Sequence, residues 1–187
     1  MIGVSWTTLY DWRSSSAVLA LTALWEETRN YGVLRRAVDC GNRLASAQMR
    51  TGLSAGGWLH GCRHALTGFS HGAAGNAYAL LRLHAITGES SFRTAAVAAL
   101  NYERRHNNWP DYRDGAPTWA FGWCNGAPGV GLGRAGARRL LNDPVFFMEI
   151  DAALARRGPQ SSTTGSRSPL LRQSWAYRTA ADLRSNR

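Results

Sequence analysis

Lysine is absent from this chain. All 22 basic residues are arginine, set against 12 acidic ones, and the formal charge is +10. A charge of that size invites a nucleic-acid reading. Selection for phosphate contacts would not exclude lysine, however, because lysine is also a good phosphate binder. The arginines are also scattered, as pairs at Arg35 and Arg36, Arg104 and Arg105, Arg138 and Arg139, and Arg156 and Arg157. An Ala- and Gly-rich chain whose cations are all Arg reads as GC-rich coding, and no nucleic-acid partner is expected.

Other absences narrow the class further. There are only three cysteines, Cys40, Cys62 and Cys124, an odd and widely spaced set that excludes a disulfide framework. The start, MIGVSWTTLY, has no basic region and no apolar core of a signal peptide, so a cytoplasmic, reduced protein is expected. No apolar run reaches the roughly 18 residues of a membrane span, so no membrane partner is expected. Six prolines and 20 glycines without a three-residue period exclude collagen. No window alternates apolar and polar residues as a half-buried strand does.

What is present is helical periodicity. Apolar residues recur at helical spacing over residues 14–29, 32–49, 73–86, 91–105, 130–141 and 144–156. Ser14 to Ser16 can cap the first stretch, and Gly88 ends the third. Between these stretches lie a Gly-rich segment, 51–67, and a long loop, 107–128, with three tryptophans. The chain is therefore all-α.

It also repeats. His71-Gly72-Ala73-Ala74-Gly75 opens one helix, and Asn125-Gly126-Ala127-Pro128-Gly129 opens another 54 positions later. A weaker copy, Asp11-Trp12-Arg13-Ser14-Ser15, stands 60 positions before the first. A two-helix unit of this length predicts stacked helical hairpins, as in an α-solenoid or a partial α/α toroid. Glycine lets the backbone turn tightly and approach its neighbours closely, and the free N–H groups at each helix start face whatever lies beside them.

Several side chains could carry chemistry. His71, at a helix start, is either a polar cap or an acid/base near neutral pH. Cys124 is either a buried thiol or a metal thiolate, although one cysteine cannot hold zinc, which needs three or four protein ligands. His60, Cys62 and His64 alternate; only His60 and His64 could share a helical face, and a polar turn is the better reading. Glu103, Asp111 and Asp114 lie among Arg104, Arg105 and Arg113. Paired acids in an α/α toroid could hydrolyse glycosides, but a solvated ionic loop is the preferred reading. Trp109, Trp119 and Trp123 form either a sugar- or peptide-binding shelf or the wall of a core.

Taken in order, the motifs resemble a known family. Leu66-Thr67-Gly68-Phe69-Ser70-His71-Gly72-Ala73-Ala74-Gly75 is followed by Ala77-Tyr78-Ala79-Leu80-Leu81 and then by Asn108-Trp109-Pro110-Asp111. Trp123-Cys124-Asn125-Gly126-Ala127-Pro128-Gly129-Val130-Gly131-Leu132 completes the series. This is similar to the cyclase domain of lanthionine synthetases, nearest to the C-terminal domain of the bifunctional type 2 (LanM) enzymes, over residues 66–154 and more weakly back to residue 9.

The resemblance implies an α/α toroid with a central zinc. In the family, zinc turns a cysteine of a precursor peptide into a thiolate, which adds to dehydroalanine or dehydrobutyrine and closes a thioether ring. By position, Cys124 matches the first zinc ligand and His71 the acid/base that handles the enolate proton. The pattern departs at Asn125, where the family usually has His or Tyr, at Trp12 and Ser15, where Gly is expected, and at Ala120, where some single-domain cyclases carry Arg. No Cys or His follows Cys124, so the family's later Cys-His-Gly motif is missing.

These departures lead to the expectation of a partial cyclase domain, residues 1–157, that is inactive alone. The alternative is a non-catalytic scaffold that binds a peptide or a partner, and the sequence leaves open whether the chain is an enzyme. A precursor peptide is the expected partner, with a complementing cyclase or dehydratase chain beside it. Residues 158–187 do not match and are expected to form a disordered tail. Read one nucleotide later, with permissible codons, residues 169–181 can encode L-C-x-G-K-A-G-H-T-E-L-L-L, which looks like the missing motif. A frameshift between residues 155 and 169 would explain it.

Overall fold

A computed structural model describes residues 15–106, 108–119 and 121–156. The expectations placed on Ser14, on most of the early weak repeat copy, on Ala120 and on residues 158–187 fall outside them.

The described residues form six helices: α1 (Ser15–Thr28), α2 (Tyr31–Ser46), α3 (Ala73–Thr87), α4 (Ser90–Arg105), α5 (Ala127–Ala137) and α6 (Val145–Ala155). All six periodic stretches are therefore helices, and the all-α reading holds. The shifts at their ends have local causes. The Asn30 side chain caps α2 by accepting the Gly32 N–H at 2.8 Å, so α2 starts at Tyr31. Gly88, in the left-handed region at φ 75°, closes α3 as expected. Pro128 occupies the first turn of α5, where its missing N–H costs nothing, so α5 starts at Ala127 rather than Val130.

The helices pair as three hairpins, α1 with α2, α3 with α4, and α5 with α6. The first helix of each hairpin lies beside the next, so α1 and α5 both pack on α3. As the central helix, α3 is buried on nearly every side, through Ala73, Ala74, Ala77, Ala79, Leu80, Leu81 and Leu83. Its all-round burial follows from having neighbours on every face. Around it α4 contributes Phe92, Ala96, Ala99 and Tyr102, and α2 contributes Ala37 and Leu44. Small residues set the spacing: a Cβ on Gly133 of α5 would stand 3.0 Å from the Ala74 Cβ of α3.

The early weak copy of the repeat reaches the described residues only at Ser15. Ser15 is buried, and its Oγ lies 3.2 Å from where a Cβ on Gly75 would stand. The position 60 residues before Gly75 thus packs directly on Gly75, as stacked repeats require.

Candidate functional site

Two loops meet at the starts of α3 and α5. Residues 121–126 fold into a tight turn, closed by an antiparallel bridge between Phe121 and Gly126 and by the Gly122 N–H donating to the Asn125 carbonyl at 3.3 Å. Cys124 stands on this turn, half-buried. The preceding loop of the other repeat runs alongside: the Phe69 N–H donates to the Trp123 carbonyl at 3.3 Å and the Ser70 N–H to the Cys124 carbonyl at 3.2 Å. His71, the next residue, is exposed. The two residues singled out from the sequence are therefore carried on hydrogen-bonded neighbouring segments.

Glycine makes this contact possible. Gly68, at φ 99°, adopts a conformation that side chains disfavour, and a Cβ there would stand 2.6 Å from the Cys124 carbonyl oxygen.

The tryptophan loop supports the Cys124 turn. Asp111 and Thr118 pair as an antiparallel bridge, with N–H···O distances of 2.7 and 2.9 Å. The buried Asp111 carboxylate accepts from the Arg113 backbone N–H at 3.0 Å and from its Nη2 at 2.7 Å. With its amide turned to suit its neighbours, Asn125 accepts from Arg113 Nη2 at 2.8 Å and donates to the Cys124 carbonyl at 3.1 Å. Asp111, Arg113, Asn125 and Cys124 thus form one chain of contacts. The guanidinium is held in its charged form chiefly by Asp111, with smaller contributions from Asp114 and Cys124. No guanidinium was expected beside Cys124; Arg113 supplies one from earlier in the same long loop.

The other candidates separate. The His60–His64 reading needed a shared helical face, but residues 51–72 form turns and bends. The His60 ring lies edge-on to His71, with centroids 6.1 Å apart, while His64 lies against Tyr112 at 5.0 Å. Cys62 donates to the His60 carbonyl at 3.6 Å. These residues lie on a turn, with the His60 and His64 rings against different partners. Trp109 is a core wall: it is buried and clusters with Ala74, Ala127, Val130 and Ala153. Trp119 and Trp123 are more than half exposed, and Phe121 is half exposed. The aromatic loop is therefore split between wall and surface.

The solvated ionic loop is a correction. Only Asp114 is exposed; Asp111 is buried in its pair with Arg113, and Glu103 is fully buried on α4. One Glu103 carboxylate oxygen accepts the backbone N–H groups of Gly68 and Ala74, each at 3.0 Å. The other lies 3.0 Å from Arg134 Nη1 on α5, a close ion pair without hydrogen-bond alignment. Burial pushes the Glu103 pKa up, while Arg134 and the two amides pull it down. Every contact is with a donor, so the group is a carboxylate. Arg134 also donates through Nε to Glu149 on α6 at 2.9 Å, and Arg104 joins Glu149 to Asp143. A sequence signal for this network existed. Arg134 stands on the buried α5 stripe 127, 130, 134, 137, and Glu103 four residues after Ala99 on that of α4. Charges on a buried stripe must be paired.

The match to known families agrees with this architecture. The model of the family described as Lanthionine synthetase C-like protein matches residues 6–161. The chain belongs to the lanthionine synthetase C-like family. The three stacked hairpins fit a segment of an α/α toroid, as the sequence implied. The comparisons with curated proteins and with solved structures each gave no match.

The family's zinc can be tested against the residues present. Among the described residues, no group of three or more His, Cys, Asp or Glu side chains could hold a metal ion. Cys124 alone does not fit a zinc site, which needs three or four protein ligands. No helix among the described residues is long and apolar enough to cross a membrane.

Proposed function

We propose that this chain is part of a lanthionine-forming cyclase of the type 2 kind, holding the acid/base and one metal ligand of a site that other residues complete. The observation that carries this reading is the pairing of the two repeat loops through the Ser70 N–H and the Cys124 carbonyl at 3.2 Å. It sets a histidine suited to proton transfer on the segment next to a cysteine suited to metal ligation, in a chain of the cyclase family.

In the reaction, the sulfur of a peptide cysteine forms a bond to the β-carbon of a dehydroalanine or dehydrobutyrine. The thiol loses its proton, and the α-carbon of the resulting enolate takes one up. His71, exposed at the start of α3, supplies that proton. Arg113, paired with Asp111, bonds Asn125 and so braces the turn that carries Cys124. Trp119, Phe121 and Trp123 offer the peptide apolar contact next to it. The sequence has no Cys or His after Cys124, and a complementing cyclase segment would supply the remaining metal donors. Exposed Leu132, Phe147, Met148 and Leu154 on α5 and α6 suit packing against such a partner.

The test is ring closure. A dehydrated precursor peptide is incubated with the chain alone and with a cyclase segment bearing the Cys-His-Gly motif, and free thiol is counted by alkylation and mass spectrometry. Thiol loss only in the mixture, abolished by His71→Asn or Cys124→Ala, is the expected result. Ring closure indifferent to both substitutions would favour the scaffold reading, in which the aromatic face binds peptide without chemistry.

A further inference from the structure

The buried carboxylate of Glu103 has a place in this site that the reaction itself does not explain. Glu103 lies on α4, outside both repeat motifs, yet one oxygen holds the Gly68 and Ala74 N–H groups at 3.0 Å each. These two amides bracket the loop that carries His71. The other oxygen meets Arg134 at 3.0 Å, two turns into the helix that the Cys124 turn opens. Both side chains are completely buried. The ion pair therefore ties the His71 loop, through α4, to the Cys124 helix, in addition to the direct contact between the loops.

We infer that Glu103 and Arg134 are positioning residues that hold the His71 loop in register with the Cys124 turn. The inference rests on reading His71 as the acid/base, but its mechanical content does not depend on ring closure. Two amides on one oxygen fix both ends of a seven-residue loop, and within it His71 keeps its ring contact with His60 at 6.1 Å. Arg134 fixes the carboxylate in turn, and Glu149 at 2.9 Å fixes Arg134. A carboxylate suits this place because a single oxygen can accept both amides while the other faces a cation.

Amide hydrogen exchange and NMR on the full chain test it. In the parent chain, the amides of Gly68 and Ala74 should exchange as slowly as that of Leu100 inside α4. Exchange of Gly68 as fast as that of the exposed loop residue Gly115 would overturn the inference. The paired variant E103M/R134M removes the clamp and leaves neither charge unpaired. It should raise exchange at Gly68 and Ala74 at least tenfold and abolish the nuclear Overhauser contact between the His60 and His71 rings, with the Trp58 and Tyr102 core signals unchanged. A merely structural role would lower the melting temperature and leave the ring contact intact; that result in the folded variant would overturn the inference. If the variant does not fold, the parent measurement decides. Ring closure is not among these readouts, so a failure of the cyclase reading would appear separately.

Discussion

Gly75 and Gly129, 54 residues apart, occupy the same cramped position in their two repeats. A Cβ on Gly75 would stand 1.9 Å from the Phe69 carbonyl oxygen, and one on Gly129 would stand 2.0 Å from that of Trp123. In each case the opposed carbonyl lies six residues earlier, on the loop that enters the helix. The repeat is therefore one of atomic packing as well as of sequence. These carbonyls belong to the two segments that meet beside Cys124.

Substitution of either glycine should destabilise the fold. Gly129→Ala forces a methyl group into backbone, and overpacking of this kind typically costs about 1–3 kcal/mol. Gly122→Ala is the control, since its nearest neighbour would be 3.7 Å away, and it should stay within about 0.5 kcal/mol of the parent. Urea unfolding of the three chains measures the difference.

Which parts of this architecture the sequence revealed depends on the range of the interaction. The six helices rest on local periodicity and glycine placement, so they were legible; the start of α2 was misplaced only because Asn30 was not recognised as its cap. His71 and Cys124 were legible as motif residues. Their adjacency was not, because it depends on backbone bonds between loops 54 residues apart. The ionic network was missed because Glu103 was read with its sequence neighbours Arg104 and Arg105, whereas its partner is Arg134, 31 residues away.

The aromatic loop divides stability from binding. Trp109→Ala empties a buried site, and losses of this kind run to about 3–5 kcal/mol. Trp123→Ala touches an exposed ring and should cost no more than about 0.5 kcal/mol. If the exposed face takes a peptide, Trp123→Ala should weaken peptide affinity while leaving the melting curve in place. Calorimetric titration beside thermal melting separates the two effects.

Acidification should loosen the loop around His106. Burial, helped by the charges of Arg105 and His64, holds its pKa below the ordinary 6.5. The unfolded chain then binds a proton more readily than the folded one between 6.5 and that lower value. Stability therefore falls as the pH drops through this window and is fully present above it. The ring also accepts or donates at Nδ1 to the Tyr112 hydroxyl at 3.1 Å. His106→Gln should flatten the melting temperature between pH 7 and pH 5.5, whereas an unchanged slope would assign the dependence to another group.

Breaking the buried pair from one side should be severe. Arg134→Met leaves Glu103 as a buried, uncompensated carboxylate, and such losses typically cost about 3–5 kcal/mol. E103M/R134M should recover only part of that loss: neither charge then remains, but the buried Gly68 and Ala74 amides lose their acceptor. A double-mutant cycle by chemical denaturation gives the coupling.

Zinc content tests the central claim most directly, because that claim makes Cys124 one ligand of a metal centre whose other ligands lie elsewhere. After dialysis against trace-metal-free buffer, the purified chain should retain far less than one zinc per chain by elemental analysis. Mixing with the complementing cyclase segment should bring the assembly to one zinc, and Cys124→Ala should abolish the gain. One tightly held zinc on the isolated chain, lost in Cys124→Ala, would contradict the account, as would a full zinc in the mixture that ignores Cys124.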